Sequence, residues 1–299
     1  MNCRRSDTPS RSRERAWGYV RLIASSVAFP PVPRDTLARC NLRDLLLRPF
    51  GLFEEDLDVD FERTPRPYLE TRILRCCTRT SGGARVGPEF FWGLELGKRT
   101  ECLLTITALG DGSDFAVNLR CGNPACRRQM EIDLTVDEIA SLQRSAEDSA
   151  VARVQAGSQA LSVRRPTGED QLAALKQTHR SEASAREYMA VALIADGSRN
   201  GGGALPESWV EAVGEALDDL DPLVNFSVRV NCPFCERSER RYIDLGDLAL
   251  RRLQAAQQRL IHLVHRLGSY YHWSEREIFA VPHWRRLRYL RLIERDDER

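Results

Sequence analysis

At 299 residues and 42% hydrophobic side chains, the chain is long enough for two domains with real cores. Its 44 basic residues are balanced by 43 acidic ones, which excludes a general electrostatic pull toward nucleic acid or an acidic membrane. The nine cysteines are an odd number, and the five outside two close pairs (Cys3, Cys40, Cys76, Cys77 and Cys102) show no regular spacing, which argues against a disulfide framework and for a reducing compartment.

Residues 1–35 are rich in Arg, Ser and Pro and read as a disordered arm. Arg4–Arg15 followed by the apolar run Trp17–Phe29 has the outline of a signal peptide, but Arg21 interrupts it, so an arm or an early start codon is expected. Leu37, Leu42, Leu45 and Leu46 suggest a short helix over Thr36–Arg48. Leu57, Val59 and Phe61 alternate with acids as in a strand, which Pro65 and Pro67 end. Tyr68–Thr78 reads as a helix carrying Leu69, Ile73, Cys76 and Cys77 inward, with the two cysteines as core residues rather than a redox pair. The glycine-rich SGGARVG follows, and a helical region, Pro88–Leu109, leads to the first of two similar stretches.

Asp114–Leu134 reads DFAVNLRCGNPACRRQMEIDL, and Asn225–Leu245 reads NFSVRVNCPFCERSERRYIDL. Phe115, Val117, Cys121, Ile132, Asp133 and Leu134 recur at a constant offset as Phe226, Val228, Cys232, Ile243, Asp244 and Leu245. Each stretch reads as a strand, a tight corner bearing two cysteines, and a return strand. The spacings, C-x4-C for Cys121 and Cys126 and C-x2-C for Cys232 and Cys235, suit pairs of metal ligands. The chain is therefore expected to be α+β: two duplicated modules, each with helices and a cysteine-tipped, zinc-ribbon-like hairpin, then a helical tail. The first module spans 36–150, the second 160–246 and the tail 247–299, with a helix over Val136–Glu147 and a linker at Ala156–Gln159.

In the second copy, Leu161 and Val163 suggest a strand, and Thr167 with Asp170 a capping box. A helix over Ala185–Ala195 comes next, then a glycine-rich loop and a helix opened by Pro206-Glu207 and stopped by Asp221-Pro222. In the tail, Leu253, Leu260, Val264 and Leu267 lie at helical spacing over Asp247–Leu267, with Gly268 as the expected C-cap. Ser274 and Glu277 open a short helix that Pro282 ends, and Trp284, Leu287, Leu290 and Ile293 line an arginine-rich final helix.

Four cysteines on two hairpin tips predict one structural Zn2+ shared by Cys121, Cys126, Cys232 and Cys235; the competing reading is small buried or oxidised thiols. Arg127 and Glu236 stand where such a turn favours glycine, which counts against the metal. Four thiolates leave no open position for water, so catalysis at this site is not expected. His262 and His265 read as one packed and one solvated histidine rather than metal ligands, Asp218, Asp219 and Asp221 as a solvated helix end, and the loops at 81–87 and 197–203 as plain loops lacking a phosphate-binding Lys-Ser/Thr. With no catalytic motif present, a non-enzyme is expected. The rival from another class is a zinc-ribbon nucleic-acid-binding protein, favoured by Arg127, Arg128, Arg237, Arg240 and Arg241 but diluted by Glu131, Glu236 and Glu239.

The second copy and the tail resemble the baseplate hub-assembly proteins of contractile phage tails, known from T-even phages, and their relatives in phage-tail-like contractile injection systems. The resemblance rests on RRPTGEDQL (164–172), Asp221-Pro222 and Cys232-Pro233-x-Cys235. It continues through His265, Leu267, Tyr270, Trp273, Ser274, Glu277, Ile278, Arg285, Arg286, Tyr289 and Leu290. In the first copy, Leu94, Gly97 and Arg99 match the family's Leu-x-x-Gly-x-Arg helix. The resemblance implies a non-enzymatic baseplate component or assembly chaperone in the bacterial cytoplasm or the assembled particle, with other tail or baseplate proteins as partners. It also suits docking through the tail's apolar faces, namely Leu253, Leu260, Val264, Leu267, Trp273, Trp284, Leu287 and Leu290.

Overall fold

The computed structural model describes residues 26–32, 44–146, 151–156, 159–178, 181–195 and 205–298. It is an α+β protein of helices and small antiparallel sheets. Strands β1 (Val27–Ala28), β2 (Leu45–Leu47) and β3 (Thr78–Thr80) form one sheet in that order. The part of the expected arm over 26–32 is thus ordered chain, and the rest of the arm lies outside the described residues. Leu45 and Leu46 belong to a strand rather than a helix, because they pair with Thr80 and Arg79; Leu37 and Leu42 lie outside the described residues.

The stretch after β2 folds around a buried ion pair. Arg48 reaches Asp56 at 2.7 Å and Glu55 at 2.7 Å, and one Asp56 oxygen accepts the N–H groups of Gly51, Leu52 and Phe53 at 3.0 Å each. This carboxylate closes the loop just before Leu57–Phe61, where alternation suggests a strand. That stretch is turn and coil instead: Leu57 packs among the C-terminal helices, Val59 and Phe61 pack with Phe50, and the Gln257 amide donates to the Asp56 and Val59 carbonyls at 2.7 Å.

Helix α1 (Arg66–Cys77) buries Leu69, Ile73, Cys76 and Cys77. The expected helix over Pro88–Leu109 is two, α2 (Pro88–Trp92) and α3 (Leu96–Asp111), because Gly93–Glu95 breaks away to pair with Thr167. The first hairpin follows, β4 (Asp114–Arg120) with β5 (Gln129–Thr135), and then α4 (Val136–Ala146). The expected linker is no linker: Ala156 pairs with Gln159 at the end of a hairpin of β6 (Val151–Ala156) and β7 (Gln159–Arg164).

Helix α5 (Gly168–Leu175) packs against α1, α2 and the following α6 (Glu182–Leu193), while α6 and α7 (Glu207–Leu220) pack near that hairpin around Val154, Val163, Ala190, Leu193, Val210 and Val213. The second cysteine hairpin is β8 (Ser227–Asn231) with β9 (Ser238–Tyr242). Its return strand is shorter than expected: Ile243 lies beyond β9, and Leu245 already opens α8 (Leu245–Tyr271). The boundary expected at 247 therefore falls inside one continuous helix. Asp244 caps that helix by accepting the Asp247 N–H. Gly268 is not its end; the helix runs three residues further and His272 takes the left-handed conformation.

Helices α9 (Glu275–Ala280), opened by the expected Ser274–Glu277 capping box, and α10 (His283–Asp297) fold back on α8. The main core joins residues from β2 to α4 with Leu223, Phe226, Ile243, Leu245, Ala249, Leu250 and Leu253. Both copies thus contribute to one core. The copies also use equivalent helices differently. Helix α3 is buried on several sides, whereas α7 buries one stripe of Val210, Val213 and Leu220.

The copies meet at one buried polar point. Asp221, fully buried, accepts the Gly97 N–H at 3.0 Å and the Gln143 amide at 3.2 Å. A side chain at Gly97 would place its Cβ 1.8 Å from the Asp221 carboxylate, so only glycine admits this contact. Gly97→Ala is expected to destabilise the protein by about 2–4 kcal/mol in urea denaturation. Gly214→Ala, whose Cβ meets nothing within 4 Å, is expected to stabilise by about 0.5–1 kcal/mol.

Burial pushes the Asp221 carboxyl up to about 6. A carboxyl that holds its proton more tightly folded than unfolded favours the fold as pH falls and loses that contribution as pH rises through about 6. Asp221→Asn, which cannot ionise, should remove this part of the stability change between pH 5 and pH 7, and parallel urea titrations of the two proteins measure it.

Candidate metal centre

Each cysteine hairpin is built by alternation. Phe115, Val117 and Leu119 pair with Leu134, Ile132 and Met130, and this row faces inward. In the second hairpin Val228 and Val230 face inward. The two inward faces meet in a small cluster of Cys121, Met130, Val230 and Cys232, with Leu119, Ile132, Val228, Cys126 and Cys235 against it. That contact brings the tips together.

The tips close alike. The N–H of Cys121 donates to the Arg128 carbonyl and that of Cys232 to the Arg237 carbonyl, both at 2.9 Å. Arg127 (φ 47) and Glu236 (φ 57) take the left-handed conformation at the residue after each second cysteine. The missing glycines therefore do not prevent the turn; two ordinary residues adopt it at a cost of about 1–2 kcal/mol each. Gly122 donates its N–H to Glu239 of the other hairpin at 2.9 Å.

Cys121, Cys126, Cys232 and Cys235 place their four sulfurs within 4.8 Å of one another. Across the hairpins, the Cys121 and Cys235 sulfurs are 3.6 Å apart and those of Cys126 and Cys232 3.8 Å. These are non-bonded separations, far longer than a disulfide of about 2.05 Å. They match the edge of a tetrahedron of sulfurs about 2.3 Å from a central ion, an edge of about 3.8 Å. The Asn123 N–H points at the Cys121 sulfur at 3.4 Å. The Arg237 N–H draws the Cys235 thiol down to about 7. Cys121, against the pull of the Asn123 N–H, is pushed up to about 12 by burial and the surrounding thiols. The four cysteines lie close together and could bind a metal through a closed, all-sulfur set.

Among the described residues no other group of three or more His, Cys, Asp or Glu converges in this way. His262 and His265 are both exposed on α8. Asp219 is exposed, while Asp221 is not the solvated helix end its position suggested. Cys76 and Cys77 are buried, and burial raises both thiols. The loop at 81–87 makes a turn on Thr80, and 197–203 lies outside the described residues.

The tail residues expected to bind partners are mostly used within the chain. Leu253 is in the main core, and Leu260, Val264 and Leu267 are in the tail's own core. Trp273, Leu287 and Leu290 pack against that core. Trp284 alone of the eight stays outside, 61% exposed. The reason is the fold-back of α10 on α8, which sequence periodicity does not reveal.

The Leu94, Gly97 and Arg99 pattern of the first copy and the 164–172 and Asp221 pattern of the second converge elsewhere. Gly97 meets Asp221, and Arg165 bonds Glu95 at 2.9 Å. Gly168 donates its N–H to Leu94, and a Cβ there would lie 2.7 Å from Arg99. Arg164 holds Asp170 through two bonds of 2.7 Å. Compared with known proteins, the chain matches no family model, no curated protein and no solved structure.

Cys232→Ser is expected to abolish stoichiometric metal and lower the thermal midpoint by about 10 °C or more, with aggregation on heating. Elemental analysis beside a melting scan checks this. A full metal complement in the variant would remove Cys232 from the ligand set.

Proposed function

We propose that the protein is a non-enzymatic structural component or assembly chaperone of the baseplate of a contractile phage tail or phage-tail-like injection system, held together by a structural zinc. The observation that carries the reading is how the pattern residues are spent. Leu94, Gly97, Arg99, Arg165, Gly168 and Asp221 contact one another or the backbone beside them, where the two copies join. A sequence pattern used to lock two copies together suits a scaffold, and it does not frame a substrate cleft. An all-cysteine centre supports the same reading, since zinc favours tetrahedral thiolate sites and such sites are closed to water. The partners are other tail or baseplate proteins.

Deletion of the gene from the phage or bacterium that encodes it tests the role. Electron microscopy should show tail-like particles without complete baseplates, restored by the wild-type gene and not by the Cys232→Ser allele. Normal numbers of contractile particles in the deletion strain would overturn the reading. Metal analysis of the purified protein should find one zinc per chain.

A further inference from the structure

The two cysteine hairpins are copies, but their outward faces are not. Because the inward rows pack against each other, the outward rows look away from one another. On the first hairpin the outward row carries Asp114, Asn118, Gln129, Glu131 and Asp133, with Arg120 as its one basic residue. On the second, Arg229 and Arg240 stand directly opposite each other, both exposed, with Tyr242 at the end of the strand. Like charges facing across a ladder are destabilising without a counter-charge.

One aromatic ring extends this basic face: Tyr242 is 66% exposed with the Arg240 guanidinium 5.6 Å from its ring. Phe234, 51% exposed at the tip, instead meets Arg128 of the first hairpin, 4.8 Å from its ring. The Arg240 Nε donates to the Ser227 hydroxyl at 2.6 Å, so it is the terminal N–H groups of the guanidinium that can meet phosphate oxygens. The acids that dilute this patch in the sequence are largely elsewhere. Glu239 turns inward to the Gly122 N–H, and Glu131 lies on the outward face of the other hairpin. Glu236 at the turn and Asp218, 3.8 Å from Arg240, are the acids that remain beside it.

We propose that this outward face of the second hairpin binds single-stranded nucleic acid, with Arg229 and Arg240 on phosphates and Tyr242 stacking on a base. Exposed rings stack only on bases that are already unstacked, which selects a single strand over a duplex. The surface adds to the assembly role and does not depend on it.

Fluorescence anisotropy of the full-length, metal-loaded protein tests the proposal, using labelled mixed-sequence DNA and RNA single strands of about 20 nucleotides. Binding should weaken as salt rises from about 50 to 200 mM. Arg229→Gln with Arg240→Gln should flatten the slope of log affinity against log salt by about 1.4, at about 0.7 per phosphate contact. Tyr242→Ala, remote from the ligand cysteines, should weaken binding about tenfold and leave that slope unchanged. Which labelled strand binds more tightly identifies the sugar preferred. No anisotropy change at low salt overturns the proposal. So does unaltered affinity in Tyr242→Ala, or competition by poly-glutamate as effective as by unlabelled strand, since either reduces the face to a generic anion patch.

Discussion

Four sulfurs within 4.8 Å of one another place a strict electrostatic demand on the chain. As thiols they offer each other only weak S–H bonds, and as thiolates they repel unless a cation stands between them. The demand is met by residues far apart in sequence, since Cys121 and Cys235 are separated by 114 positions. Closing so long a loop costs chain entropy, which rises only slowly with length. The apolar contact of Met130 and Val230 beneath the sulfurs helps to offset that cost, so the tips are aligned by packing as well as by sulfur chemistry. The left-handed Arg127 and Glu236 belong to the same geometry. Their strain persists because the surrounding turn over-determines it.

Duplication gave the chain two equivalent units, and the fold then separated their tasks. Helix α3 became part of the main core, while α7 covers a smaller cluster with β6 and β7. The helix after the first hairpin, Val136–Ala146, gives way to a strand by Val151, but its counterpart after the second runs over Leu245–Tyr271. This longer helix packs its first turns on the main core through Leu245, Ala249, Leu250 and Leu253. The second copy therefore completes the core of the first, and the two cannot be treated as independent domains. The Gly97–Asp221 contact is the polar counterpart of this shared burial, with an acidic group at the start of α3, where the backbone N–H groups are free.

What could be read from the sequence was what depends on local chemistry. The hairpins followed from alternation, and the cysteine centre from two ligand pairs at equivalent positions. The capping residues Thr167 and Ser274 act within three residues of themselves and were equally legible. The misread elements share a different cause. Leu57–Phe61 alternates like a strand, but a glutamine about 200 residues away claims its Leu57 and Val59 carbonyls. Gly268 looks like a helix end, yet the chain folds back over it, and a Cβ there would lie 3.4 Å from the Trp273 carbonyl oxygen. Asp221 reads as solvated because it sits in an acidic helix end beside the exposed Asp219, and its burial depends on Gly97 in the other copy. Each miss reflects a tertiary partner that no local window contains.

The tail shows how such partners decide what remains for interaction. Its apolar stripe is used inside the chain, where Leu260, Leu263, Val264 and Leu267 meet Ile278 and Ile293. It also buttresses the Arg48 loop, through Gln257 on one side and the Arg286 bond to the Leu52 carbonyl at 2.9 Å on the other. Arg286 is buried with its Nε and Nη1 lacking a hydrogen-bond partner among the described residues, and burial lowers its guanidinium to about 10. A buried cation with so few bonds is tolerated only where packing holds it, here with the Phe279 ring 4.8 Å away. Any partner of the tail must therefore meet its outer surface, where Trp284 and the exposed arginines of α10 lie, rather than enter a groove left open for a helix. A tail that has already buried its apolar stripe presents a preformed surface, and binding there incurs less ordering entropy than docking a free amphipathic helix.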